Sequence, residues 1–436
     1  MISSWRRKRA SRATGGGAKP EPAELVIPTH FRCPISLDMM KDPVTLSTGI
    51  TYDRESIDTW IEGGNKTCPV TKQTLRTLDP VPNHTLRRMI QDWCVENRSH
   101  GVERIPTPRV PITSHEVGEI LGQISKAQGS KACLELVRRV SKAIKESERN
   151  KRCFIANGAS KTLALAFKLF ADGEGEDVVS LLEEVMIALT IMSPLDSEAL
   201  GHLRSSGSLA RLVWFLRRGG LSGRRSAVLI LKELILSTRG QEMLVGELLS
   251  IEGTLEGLVQ LIKEPVCPAS TKASFVVIYN MISTYDPAIA RYVELGLVTL
   301  ILDILVDAEK SICEKALGVL DGLCRSNAGI EAALDHSLTV PVAVKKILRV
   351  SDLATEFSVS ILWRLSQREE KQSEGVLIEA LQVGAFQKLL LILQVGWNIN
   401  ERTREKVTKL LKLLNLYRDR VECIDSLDFQ NIKRSF

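Results

Sequence analysis

The stretch Phe31–Ile61, FRCPISLDMMKDPVTLSTGITYDRESIDTWI, with its continuation Thr67–Leu75, TCPVTKQTL, decides how this chain is read. Its spacing is that of a small zinc-binding fold stripped of its ligands. A cross-braced module holding two Zn²⁺ ions needs about eight Cys or His residues, mostly in C-x-x-C pairs, because each ion takes four. Here the first pair falls on Cys33 and Ser36 and the last on Cys68 and Thr71. A hydroxyl does not replace a thiolate on zinc. Cys33, Cys68, Cys94, His30 and His84 remain, with no pair at a usable spacing, so neither a metal nor another cofactor is expected. Hydrogen bonds among polar side chains such as Ser36, Asp38, Asp53 and Thr71 are expected where the ions would sit, a network of use only if each buried group is satisfied.

The residues around those loops still specify a fold. Pro43-Val44-Thr45 and Ile50-Thr51-Tyr52 are two β-prone runs flanking Ser47-Thr48-Gly49, a hairpin signal. Asp53 stands where it can cap the next helix, which carries Ile57, Trp60 and Ile61 on one face and ends at Gly63-Gly64. Asn83 can cap a second helix with Leu86, Met89, Ile90 and Trp93 at the same spacing.

Cys33-Pro34-Ile35, Asp42-Pro43-Val44, Gly49-Ile50-Thr51-Tyr52-Asp53-Arg54 and Cys68-Pro69-Val70-Thr71, in that order over about 70 residues, resemble the signature of the U-box, the zinc-free relative of the RING domain. The resemblance implies an E3 ubiquitin ligase that recruits a ubiquitin-charged conjugating enzyme and forms no covalent intermediate of its own. Its catalysis is by positioning, with no catalytic side chain. It further implies that Ile35 and Pro69, on two neighbouring loops, form a shallow apolar groove for the conjugating enzyme. The resemblance also implies that Trp60, on the helix between those loops, supports or touches the same partner, and that Lys72, where relatives often carry Arg, contacts both the enzyme and ubiquitin. Lys lacks the planar guanidinium fork. The alternative for Ile35 and Trp60 is the core. Cys33, Pro43, Val44, Tyr52 and Cys68 are expected to be structural. Cys68 as a nucleophile is disfavoured, because the nearest base in sequence is His84 and its neighbours Pro69 and Val70 read as structural.

Outward from this module the chain divides into a basic tail (1–26), the U-box-like region (27–97), a Pro-containing linker (98–113), an all-helical array (114–420) and a C-terminal tail (421–436). The net charge of +6 sits entirely in Arg6, Arg7, Lys8, Arg9, Arg12 and Lys19, so the rest balances at 52 basic and 52 acidic residues. A nucleic-acid-binding body concentrates positive charge on a face, which nothing here requires. The tail reads as a solvated arm, with nuclear import or a weak contact with anionic lipid as its functional alternatives; the expected location is the cytoplasm, with the nucleus second. Nine cysteines without framework spacing fit a reducing compartment. No run of 18 apolar residues predicts a membrane span.

From Val117 onward the helix signal repeats. A short polar segment, a Gly, a Leu/Val-rich run, a polar break and a second apolar helix recur at Gly158, Gly207, Gly253, Gly296, Ser337 and Gly384, at intervals of 41 to 49 residues. That period is near the one expected of armadillo or HEAT units. The buried helix of successive units is expected over 227–236, 273–282, 316–323, 359–365 and 407–414, with 117–144 as a divergent cap. Gly suits the anchor because the chain turns sharply there, often with positive φ. The fold class is therefore mostly α: a small α+β U-box followed by an armadillo-type, right-handed α-solenoid with an elongated concave surface.

The array shows no catalytic constellation and is expected to bind the protein to be ubiquitinated. The rival is a non-enzymatic adaptor. Importin-like armadillo proteins present a ladder of Trp-x-x-x-Asn, whereas here Tyr279-Asn280 and Trp363 with Gln367 form no ladder. The order of tail, U-box, linker and array resembles plant U-box/armadillo ligases, members of which serve defence and stress signalling. Expected partners are the conjugating enzyme, ubiquitin and a substrate protein; pairing of two U-boxes stays open.

Overall fold

The structure, a computed structural model, describes residues 27–105, 112–237, 241–368, 370–395 and 399–418. Both tails lie outside these residues. The chain forms two compact units that divide between Val110 and Pro111.

The N-terminal unit is built on a three-stranded antiparallel sheet in the order β2-β1-β3, with β1 Pro43–Thr45, β2 Thr51–Asp53 and β3 Val81–Pro82. Val44 faces Tyr52 on one side and Pro82 on the other. Helix α1, Arg54–Glu62, follows β2 directly, and α2, His84–Glu96, follows β3. Asn83 caps α2 as its position suggests, accepting from the Leu86 amide. Asp53 does not cap α1. Its Oδ1 turns back to accept from the Lys41 and Asp42 amides at 2.7 and 2.8 Å, because that loop has donors with no strand partner. A small core of Phe31, Val44, Tyr52, Ile57 and Ile90 also takes in Ile105, eight residues beyond the 97 boundary drawn from sequence. One isolated apolar residue has no periodicity by which sequence could place it.

The second unit is helical throughout its described residues. A helix pair, Ser114–Lys126 and Ser130–Glu146, precedes six triplets, each with a longer third helix. Those third helices are Glu176–Ile191, Leu221–Leu236, Pro268–Thr284, Lys310–Leu323, Asp352–Leu365 and Glu401–Leu416, and each packs on the next. All five spans expected from sequence lie inside them. No triplet buries its apolar face alone, so stacking makes one continuous core.

Of the six expected anchors, Gly158, Gly253, Gly296 and Gly384 adopt left-handed φ between 74° and 86°. Gly207 and Ser337 do not. Gly207 lies inside helix Ser206–Arg218, where the Asp172 carboxylate comes within 2.8 Å of the place a Cβ would take, so glycine serves close approach there rather than a left-handed φ. Around Ser337 the turn enters helix Thr339–Lys346 with ordinary negative φ at Leu338. Bonds one repeat apart clamp neighbouring triplets: Arg211 donates to the Ala171 and Gly173 carbonyls, each at 2.6 Å, and Lys388 to the Val344 carbonyl at 2.7 Å. These side chains satisfy carbonyls that helix ends leave open. Among the described residues, no single helix is long and apolar enough to cross a membrane.

Candidate functional site

The loops 33–38 and 68–73 share one backbone. Cys33 N donates to Asp38 O and Leu37 N to Cys33 O, both at 2.8 Å. In the second loop Cys68 N donates to Gln73 O at 2.8 Å and Lys72 N to Cys68 O at 2.9 Å. Single β-bridges close both, Arg32 to Met39 and Thr67 to Thr74. Each turn forces one non-glycine residue left-handed, Leu37 at φ 62° and Lys72 at φ 58°. Such residues persist only where the surroundings over-determine them.

What holds the loops is a pair of buried thiols. The Asp53 amide donates to Cys33 Sγ at 3.3 Å, and Tyr52 Oη lies 3.0 Å from Cys68 Sγ while accepting from the Val70 amide at 3.3 Å. The two loops are thus hung on consecutive residues of β2. Of the polar bridge expected from sequence, Asp53 takes part; Ser36 and Thr71 accept locally from the Asp38 and Gln73 amides, with the Thr71 hydroxyl also turned on Cys68, and the Asp38 side chain is exposed. The thiols and Tyr52 are the hubs instead, since they reach from these two loops to the sheet. Asp42 adds an ion pair with Arg54 at 2.6 Å. Among the described residues, no group of three or more His, Cys, Asp or Glu is arranged to hold a metal.

Cys33, Pro43, Val44, Tyr52 and Cys68 are all buried. Burial alone would raise the Cys68 thiol, but the hydroxyls around it, Tyr52 and Thr71 among them, hold it down to about 6. The same pair of groups pushes Tyr52 well above the usual phenol range, burial first and the Cys68 contact second. A low thiol is nucleophilic only if a substrate reaches it. Cys68 is fully buried and does not meet that condition.

The loops expose apolar side chains beside polar ones. Ile35 is 37% exposed and Val70, its equivalent in the second loop, 52%; Leu37 beside the first is 68% exposed. Ile35 lies outside the buried core cluster. Trp60 and Lys72 come together: the indole Nε1 donates to the Thr67 carbonyl at 2.8 Å, and Lys72 Nζ stands 5.7 Å from the indole centroid; Pro69 is half-buried in the same loop. Trp60 is half-buried, serving the core and the surface together. Leu37 and Val70 were missed by sequence reasoning. The matched pattern Cys-Pro-apolar-Ser/Thr in both loops was the signal that could have found Val70.

Substituting Asp53 by Ala removes two charge-assisted bonds, each worth about 1.5–3 kcal/mol. Partial rehydration of the two amides brings the expected loss to about 2–3 kcal/mol, or roughly 10–20 °C in the melting temperature of so small a unit. Wild-type protein melted with and without a strong chelator is the companion measurement. The transition of residues 27–105 is expected not to move, and a large drop would restore a metal to these loops.

Comparison with known proteins agrees with both units. The U-box domain model matches residues 27–99, and the model of the plant U-box protein ARM repeat region matches 116–434. U-box domain-containing protein 21 of Arabidopsis thaliana is 43% identical over 425 residues, covering 96% of this chain and 95% of that one. E3 ubiquitin-protein ligase PUB23, also of Arabidopsis thaliana, is 36% identical over 407 residues, covering 91% and 94%. In fold alone, an engineered protein of known crystal structure is similar at TM-score 0.50 and 16% identity, over 70% of this chain and 68% of that one. With a U-box on one unit and the plant-type ARM repeat region along the other, the chain belongs to the plant U-box/armadillo-repeat family of E3 ubiquitin ligases.

Proposed function

We propose that the loops at 33–38 and 68–73 dock a ubiquitin-charged conjugating enzyme, and that the solenoid holds the protein whose lysine receives the ubiquitin. The observation that carries this reading is the row of exposed apolar tips, Ile35, Leu37 and Val70, on loops too rigidly built for chance exposure. A few apolar anchors on a small patch suit a partner that must leave after each transfer. Trp60 stiffens the second loop from behind, and Lys72 adds a cation at its edge. Transfer then goes directly from the conjugating enzyme to the substrate lysine, because none of the module's three buried thiols, Cys33, Cys68 and Cys94, is open to a thioester. The solenoid offers the stacked third helices as a long partner surface, the use that repeat arrays make of their shape.

The test is discharge of ubiquitin from a charged conjugating enzyme to free lysine, with purified full-length protein. Acceleration over the enzyme alone is expected. A rate equal to the uncatalysed one across a panel of conjugating enzymes would favour the adaptor instead.

A further inference from the structure

Two hollows lie on the exposed side of the third helices in the last four triplets. The first, about 240 Å³, is walled by Phe275, Tyr279, Leu353 and Phe357 and floored by Gly318. A Cβ at Gly318 would fall 3.0 Å from the Phe357 ring, so glycine is what keeps the floor open. Tyr279 and Leu353 are 39% and 47% exposed, an apolar rim facing solvent. The second hollow, about 390 Å³, is lined by Trp363 and Gln367 and by four cations, Arg325, Arg364, Arg368 and Lys406.

The positive charge of the second hollow is only partly answered. Arg364 Nε donates to Asp321 Oδ1 at 3.2 Å, and Arg325 pairs with Asp286 at 3.5 Å. Among the described residues, Arg368 donates to the Asn327 carbonyl at 3.2 Å, and its Nε is buried with no hydrogen-bond partner. Lys406 donates to Ser360 Oγ at 2.8 Å. Glu356, the next carboxylate near it, is occupied by the Asn400 amide and side chain at 2.8 and 2.6 Å. Burial and the neighbouring Arg364 and Arg402 guanidinia hold the Lys406 ammonium below its ordinary value, against the pull of Asp321 and Glu356. A further cation, Lys409, stands 5.8 Å over the Trp363 ring. A cluster of this composition recognises carboxylate or phosphate.

The two hollows are in register. Gly318 and Arg325 are seven residues apart along one chain segment, and Phe357 and Arg364 are seven apart along the next. Phe357 and Arg364 both lie in helix Asp352–Leu365, where seven residues place the second hollow about 10 Å from the first on the same face, and Arg325 follows just past the end of helix Lys310–Leu323. About three residues of an extended chain cover that distance.

We infer that these hollows together bind an extended segment of a partner protein, seating a large apolar side chain against Gly318 and an anionic group, carboxylate or phosphate, among Arg364, Arg368 and Lys406. The segment carries the two about three residues apart. Charge complementarity selects an acidic partner over a basic one, the opposite of the peptides that a Trp-Asn ladder reads. The inference rests on the solenoid being the partner-binding unit.

Labelled nine-residue peptides test it with the full chain. Each carries Leu three positions before or after a Glu-Glu pair, with Lys-Lys and phosphoserine versions as the other arms. The acidic peptides are expected to bind at least tenfold tighter than their Lys counterparts, and less tightly as salt rises. The phosphoserine arm distinguishes a phosphate-selective hollow from one that accepts either anion. Arg368→Glu with Lys406→Glu is expected to abolish that preference, and Tyr279→Ala with Leu353→Ala to weaken binding several-fold. Arg368→Gln and Lys406→Met, each alone, cover the case in which charge reversal fails to fold. All are expected to discharge ubiquitin to free lysine at the wild-type rate. Equal binding of acidic and basic peptides, or no binding of any, overturns the inference. Fusing the peptide to a lysine-bearing carrier separates the two readings: a carrier that is captured but not ubiquitinated defeats the substrate role and leaves the hollows assigned.

Discussion

Replacing Ile35 by Ala is expected to remove most ubiquitin discharge while leaving the N-terminal unit folded. The side chain sits at the tip of a loop fixed by the Cys33–Asp38 bond and by the Asp53 amide on Cys33 Sγ, and none of those bonds involves it. At 37% exposure it contributes little to the core, so the stability change is expected to stay below about 1 kcal/mol. Its cost to docking is larger, because truncating an apolar anchor at a small interface loses about 2 kcal/mol, which weakens binding roughly 30-fold. Val70→Ala, at the equivalent position of the other loop, is expected to act in the same direction. Circular dichroism with a lysine-discharge assay on the full-length protein reads both quantities. A folded variant that discharges at the wild-type rate removes Ile35 from the interface, and an unfolded one returns it to the core.

Much of this molecule is legible in its sequence where one residue type has one physical reason to be present. Gly158, Gly253, Gly296 and Gly384 mark turns because left-handed backbone favours glycine, and the apolar spans after them locate the third helices. The same residue misleads at Gly207, which sits inside a helix against the Asp172 carboxylate, because composition does not separate a left-handed turn from a close approach. Asp53 misleads similarly. Its place before a helix fits a cap, but a carboxylate goes where unpaired amides are, and those of Lys41 and Asp42 lie across the loop. Burial of Ile105 and the clamps made by Arg211 and Lys388 depend on contacts that no local pattern encodes.

At the candidate site the division is the same. The loss of zinc ligands is readable from spacing alone, and the five structural positions are buried. The replacement for the ions is not readable, because it runs from thiol to phenol and backbone amide rather than between the polar side chains that sequence makes conspicuous. Tyr279 and Trp363 stood out in the sequence for failing to form a ladder. In the structure each lines a hollow, since successive third helices bring residues about one repeat apart onto one face.

The helix phase behind that placement has its own test in Leu320→Ala. Leu320 is 1% exposed in helix Lys310–Leu323, which packs between Pro268–Thr284 and Asp352–Leu365. Truncating a buried leucine loses transfer energy and leaves a cavity, about 2–5 kcal/mol in all. The upper half of that range is expected here, because the surroundings are already close. A Cβ at Gly322 would lie 2.6 Å from Ile282, and one at Gly318 3.0 Å from Phe357, so the flanking helices have little freedom to move in and fill the space. The loss is expected to spread to adjoining triplets, since each is stable mainly through its neighbours. Leu353→Ala, in the next third helix but 47% exposed, is the matched control and is expected to cost about 0.5 kcal/mol or less. Hydrogen exchange across the solenoid measures both effects locally. Lost protection concentrated in 268–365 for Leu320→Ala, with little change for Leu353→Ala, is the expected outcome. Equal losses in the two variants would mean that the phase assigned to these helices, and with it the shared face of the two hollows, is wrong.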